Sequence, residues 1–133
     1  MSAIHTVDDK KKLIITAWEG EPTAQDLTNA FKQYQKEIKS EPSLADYNEL
    51  VDFTKIVGFK INSNGLRILA NVAANSDDDS IKTKLAIVVK SPLTFGLARM
   101  YEIYRDLNPT KSKEIKVFQN KSSALIWLDK ANP

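Results

Sequence analysis

The sequence predicts a single α/β domain, and three observations carry that expectation. Short β-branched runs alternate with longer stretches whose apolar residues recur at helical spacing, in the order ββαβαβαβα. One run, "KLAIVV" at 84–89, is apolar almost throughout, the pattern of a parallel strand buried on both faces. A helix-start signal, Ser91 followed by Pro92, stands directly after that run. Strands that alternate with helices pair in parallel, because the crossover between parallel neighbours lays a helix on the sheet. The expected architecture is a five-stranded mixed sheet covered by four helices in three layers, one domain over residues 1–133.

Each element has its own justification. "AIHTV" (3–7) and "KLIITAW" (12–18) flank the polar "DDKKK" and read as a β-hairpin. Thr23 with Asp26 three residues on approximates a capping box, and Leu27, Phe31, Tyr34 and Ile38 then form one helical stripe. Gln25, Lys32, Gln33, Lys36 and Glu37 fall outside that stripe. "SEPSLAD" breaks the helix, and "YNELVDF" (47–53) is the third strand. The next helix opens within "NSNGL" (62–66), with Leu66, Leu69, Ala70 and Ala73 inward, and "NSDDDS" ends it. The helix after Pro92 runs to about Leu107, "EIKVF" (114–118) is the fifth strand, and Asn120 caps a closing helix.

Composition removes several functions. Cysteine is absent, so disulfides, thiolate catalysis and cysteine-ligated metals are excluded. One histidine and no cysteine cannot furnish a usual zinc site. A net charge of +2 with scattered lysines and no RNA-binding aromatic motif speaks against nucleic acid. There is no glycine-rich phosphate loop and no Gly-x-Ser-x-Gly elbow. Neither a signal-peptide core nor a membrane-spanning run is present, so a soluble cytoplasmic domain without a cofactor is expected.

The stretch from Leu85 to Leu128, "LAIVVKSPLTFGLARMYEIYRD…EIKVFQNKSSALIWL", carries a family likeness. It resembles the SpoIIAA-like family of small bacterial proteins in its "FGLARMYE"-type helix and its "VFxxxxxALxWL" ending. The first half agrees in element order alone. The resemblance implies the fold shared by STAS domains and by the lipid-binding SEC14 (CRAL-TRIO) domains. It also implies a regulatory site. In STAS-type anti-sigma-factor antagonists, the first serine of an Asp-Ser-Ser-Gly-Leu segment at this helix start is phosphorylated. Ser63, Gly65 and Leu66 match that segment, whereas Asn62 and Asn64 replace its Asp and second Ser. The competing reading makes Ser63 a helix N-cap.

The helix "PLTFGLARMYEIYRDL" yields the second candidate site. At about 100° per residue, Leu93, Leu97, Met100, Tyr104 and Leu107 share one face, flanked by Tyr101 and Ile103, with Gly96 permitting close approach. Thr94, Arg99, Glu102, Arg105 and Asp106 occupy the other, and Phe95 is an apolar misfit among them. Either Phe95 packs beneath a loop, or it borders a lipid-facing patch or pocket with Leu93, Leu97, Met100, Tyr101 and Tyr104. Met and Tyr both suit such a surface.

The remaining signals read as structural. Asp77-Asp78-Asp79 lacks the pattern of a calcium loop and reads as a solvated turn; no metal site is expected. His5 lies in the edge hairpin with no apparent nucleophile, and Trp18 and Trp127 read as core or rim aromatics. Lys10 to Lys12 form an exposed turn whose contact with anionic headgroups is weak and screened by salt.

The sequence therefore favours a non-catalytic module for an apolar or lipid-like ligand, with peripheral membrane association as part of that expectation. The rival is a protein-partner switch centred on Ser63. The sequence leaves self-association open.

Overall fold

The computed structural model describes residues 3–74, 81–107 and 113–130. Two strands, β1 (Ala3–Asp8) and β2 (Leu13–Gly20), form the expected antiparallel hairpin, with His5 opposite Thr16. Helix α1 (Ala24–Ser40) follows, then a 3-10 turn at Pro42–Asp46 and β3 (Asn48–Ile56). The chain continues through α2 (Ser63–Ala74), β4 (Thr83–Val88), α3 (Pro92–Asp106), β5 (Lys113–Phe118) and α4 (Lys121–Asp129).

The strands lie in the order β1-β2-β3-β4-β5, parallel after the hairpin. That order never reverses, so successive right-handed crossovers place α1, α2 and α3 on the same face. Trp18, Phe53, Leu66, Leu69, Leu85, Ile87 and Tyr101 belong to the core under this layer. Among the described residues, α4 is the helix on the opposite face, packing through Ala124 and Leu128 against Leu13, Leu50, Ala86 and Val88. The three layers are therefore unequal. A sheet that winds in one direction also has no reversal point at which a crevice opens between strand ends.

Most local expectations hold. Every residue of β4 is buried. Ser91 accepts from the Thr94 N–H at 3.1 Å with Pro92 in the first turn, and Asn120 caps α4 by accepting from the Ser123 N–H at 2.7 Å. The inner residues of α2 are those expected. Asp77 to Asp79 lie outside the described residues.

The capping box of α1 is complete: the Asp26 N–H donates to Thr23 Oγ1 at 3.1 Å, and the Thr23 N–H donates to Asp26 Oδ2 at 2.9 Å. Thr23→Ala is expected to cost about 0.5–2 kcal/mol in chemical denaturation. The bond from the Thr23 backbone N–H holds the Asp26 carboxyl below the usual carboxylate range. A depressed folded-state value contributes stability above the unfolded value, lost as pH falls through the folded one. The stability difference between the wild type and Asp26→Asn is therefore expected to shrink below about pH 4.

Helix α3 departs from its expected orientation. Its buried residues are Thr94, Ala98, Tyr101 and Arg105, whereas Leu93 is 73% and Leu107 76% exposed. The helix is rotated so that Thr94, Ala98, Tyr101 and Arg105 face inward and the expected apolar stripe lies to one side. Thr94 is accommodated because its hydroxyl donates to the Ser91 carbonyl at 3.0 Å, and Arg105 because Nη1 donates to the Tyr101 hydroxyl at 3.0 Å. Phe95 then packs half-buried against the main core. A Cβ on Gly96 would meet nothing within 4 Å, so the close approach expected there does not occur.

Lys84, one of the scattered lysines of the sequence, is 3% exposed. Its Nζ donates to the carbonyls of Trp127 at 3.0 Å and Lys130 at 2.6 Å, satisfying the end of α4 where helix carbonyls lack partners and cations are favoured.

Candidate functional site

Between the sheet and the layer of α1, α2 and α3 lies a cavity of about 280 Å³. Its floor alternates inward-facing residues of the strands: Thr16 and Trp18 of β2, Glu49, Val51 and Phe53 of β3, and Leu85 and Ile87 of β4. Period-two alternation aims these side chains to one face. Leu27, Ala30, Phe31 and Tyr34 of α1 form the roof, with Leu66 and Leu69 of α2 and Leu97, Ala98 and Tyr101 of α3 closing the side. No residue of α1 is fully buried, so its apolar stripe roofs a space rather than sealing a core.

The cavity has two unlike ends. Towards the carboxyl ends of the strands it is aromatic and apolar: the Trp18 and Phe53 rings stack at 6.2 Å, and Phe59 meets Phe53 edge-on at 4.8 Å. Towards the amino ends of the strands it is polar. Lys113 Nζ donates to Glu49 Oε1 and, at 3.2 Å, to the Tyr34 hydroxyl. The Lys113 and Glu49 side chains are 10% and 14% exposed, so this pair is held away from bulk water. Nearer the surface His5 Nε2 lies 2.8 Å from Glu37 Oε2, and His5 Nδ1 lies 3.1 Å from Thr16 Oγ1. Because α1 runs antiparallel to the strands, its carboxyl-terminal half brings Gln33, Tyr34 and Glu37 to this same end.

No protein-family model and no curated protein matches the chain. Its three-dimensional structure does find a counterpart. An uncharacterized protein of the DUF3478 family, with a SpoIIAA-like fold, from Shewanella loihica PV-4 superposes with a TM-score of 0.58 at 16% sequence identity. The match covers 96% of this chain and 92% of that one. This chain has the SpoIIAA-like fold. The element order and mixed sheet expected from the alternation of strands and helices, and the SpoIIAA-like fold implied by the C-terminal motifs, are thus those of the folded protein.

Within the SpoIIAA-like fold the α3 candidates divide. Leu97 and Tyr101 line the cavity. Phe95, Met100 and Tyr104 are half-buried against the core and do not line it, and Leu93 projects to solvent. The residues of the polar end carried separate structural readings in the sequence. His5 was expected without a nucleophile nearby, yet strand pairing sets Thr16 beside it. Glu37 was placed off the apolar stripe of α1, and that flanking position lets it reach His5. Glu49 carried a signal: it is the charged residue in period-two register with Val51 and Phe53, which face the cavity.

At the start of α2 the structure corrects the capping role. The Gly65 N–H donates to Asn62 Oδ1 at 2.8 Å, so Asn62 is the cap and Ser63 the first helical residue. Ser63 and Asn64 are exposed. Gly65 is required by close approach, since a Cβ there would lie 2.9 Å from Ile61 Cγ1.

Among the described residues no group of three or more His, Cys, Asp or Glu is placed to hold a metal ion, and no helix is long and apolar enough to cross a membrane.

Proposed function

We propose that the protein is a non-catalytic binding module that takes an apolar or lipid-like ligand into the cavity beneath α1. The observation that carries this reading is a space of about 280 Å³, near the lower end of small-molecule pockets, lined mainly by aliphatic and aromatic side chains with a few polar groups at one end. Apolar space of this kind gains little from water and much from an apolar guest. The roof is one amphipathic helix with no fully buried residue.

The Thr16, His5 and Glu37 series superficially resembles a nucleophile, base and acid. Thr16, however, lies in mid-strand, paired with His5 of β1 and Val51 of β3, and not at a helix N-terminus where free N–H groups converge on a developing oxyanion. The series serves binding better than catalysis.

Organic extraction of the purified protein followed by mass spectrometry tests the reading, with a stoichiometric amphiphile expected. Ala30→Phe, which builds a ring into the cavity, is expected to abolish ligand retention while the protein stays folded. Added ligand at 100 times its Kd is expected to stabilise the wild type by about 2.7 kcal/mol, raising Tm by about 10 °C. Equal retention by wild type and Ala30→Phe would remove the cavity from the argument. Exchange at a membrane surface belongs to the same proposal, since Leu93, Ile103 and Leu107 are exposed on α3. Vesicle flotation of Leu93→Ser/Leu107→Ser against wild type measures it.

A second reading is favoured by one observation. Asn62 performs the capping, which leaves the exposed Ser63 hydroxyl without that structural task. Phosphate on Ser63 would sit at the positive end of α2 and place about −1.5 to −2 charge on the surface. Phosphopeptide mapping at Ser63, with partner binding by Ser63→Asp and Ser63→Ala, tests this switch; identical behaviour of the two variants counts against it.

A further inference from the structure

We infer that the polar end of the cavity selects the head of its ligand, favouring a primary ammonium on an apolar chain over a carboxylate on the same chain. The inference rests on the cavity reading above and deepens it. Four charge-bearing side chains line the cavity: Glu37, Glu49, Lys113 and His5. The Lys113 ammonium is already engaged by Glu49 and by the Tyr34 hydroxyl. An incoming carboxylate would compete with Glu49 for that cation in a cavity that Glu37 also lines. Among the described residues that line the cavity, Glu37 is the carboxylate without a Lys or Arg partner; it is held by His5 at 2.8 Å and is about one-third exposed at the rim. An ammonium only donates, and the Glu37 carboxylate and Thr16 Oγ1, which both line this end, are acceptors for it. The carboxyl-terminal half of α1 lies at this end, and the partial negative charge of a helix carboxyl terminus acts in the same direction.

The apolar body of such a ligand has its own place. The aromatic end, with Trp18, Phe53 and Phe59, lies towards the opposite ends of the strands. An elongated amphiphile therefore enters with its chain under α1 and its head at the rim. This polarity sets the ligand class: single-chain aliphatic amines rather than fatty acids.

Calorimetric titration of the full chain with decylamine, decanol and decanoate at pH 7.5 tests the inference, with Trp18 emission as a second readout inside the cavity. Decylamine is expected to bind at least about tenfold more tightly than decanoate, equivalent to about 1.4 kcal/mol. Glu37→Gln, at a rim position, is expected to bring the amine-to-acid ratio towards one, with thermal unfolding confirming that the variant is folded. Decanoate binding as tightly as decylamine, or a ratio unmoved by Glu37→Gln, overturns the head-group inference and leaves the cavity reading standing. Failure of all three probes to bind overturns both.

Discussion

Replacing Lys113 by Met is expected to destabilise the domain by about 3–5 kcal/mol, read as a shift of the urea midpoint. Lys113 and Glu49 are joined from β5 and β3, 64 residues apart in sequence, and both are largely screened from water by the roof of the cavity. Removing the ammonium leaves the Glu49 carboxylate in a poorly solvated position and takes a donor from the Tyr34 hydroxyl. The cost is the desolvation of the abandoned charge rather than the net value of the pair. The double variant Glu49→Leu/Lys113→Met is therefore expected to recover most of the loss, because an apolar pair of similar volume needs no hydration. A single-variant cost below about 1 kcal/mol would place the pair in the class of solvent-screened surface bridges. It would also weaken the description of this end of the cavity as sheltered.

Leu50→Ala is expected to cost about 2–5 kcal/mol, towards the upper part of that range. Leu50 is 0% exposed and sits in β3 between Ile15 of β2 and Ala86 of β4. Neighbouring strands fix its position laterally, and α4 covers it with Ala124 and Leu128. Hydrogen-bonded strands cannot move together to fill the space, so most of the cavity persists. Because this core lies on the sheet face opposite the roofed cavity, ligand retention is expected to survive the substitution under folding conditions. The contrast with Ala30→Phe, folded but unable to retain ligand, separates the two faces of the sheet by function. Equal loss of ligand in folded Leu50→Ala would argue against that separation.

The elements were legible in the sequence because their signals are local. "KLAIVV" announced a buried strand, Thr23 with Asp26 a helix start, and Ser91-Pro92 another, each through atoms within a few residues of one another. The caps failed where two residues competed: Asn62 and Ser63 are adjacent and both suited to the task, and the backbone made Ser63 helical. The rotation of α3 was illegible for a different reason. Hydrophobic periodicity locates an apolar stripe, but the side that meets the sheet depends on neighbours. Leu97 and Tyr101 turn towards the cavity shared with Leu66 and Leu69 of α2, and Ala98 and Thr94 permit close packing.

The sequence by itself determined the order of strands and helices, most of their boundaries and the inner face of α2, since propensity, capping and alternation act along the chain. Only the tertiary structure decided that α1 would roof a space instead of sealing it, that Lys84 would be buried beneath the end of α4, and that charged residues from α1, β1, β3 and β5 would gather at one end of a cavity. The physical reason is that a charge is stable in a sheltered site only beside its partner, and such partners come from strands and helices distant in the chain. No local pattern records which of them will meet.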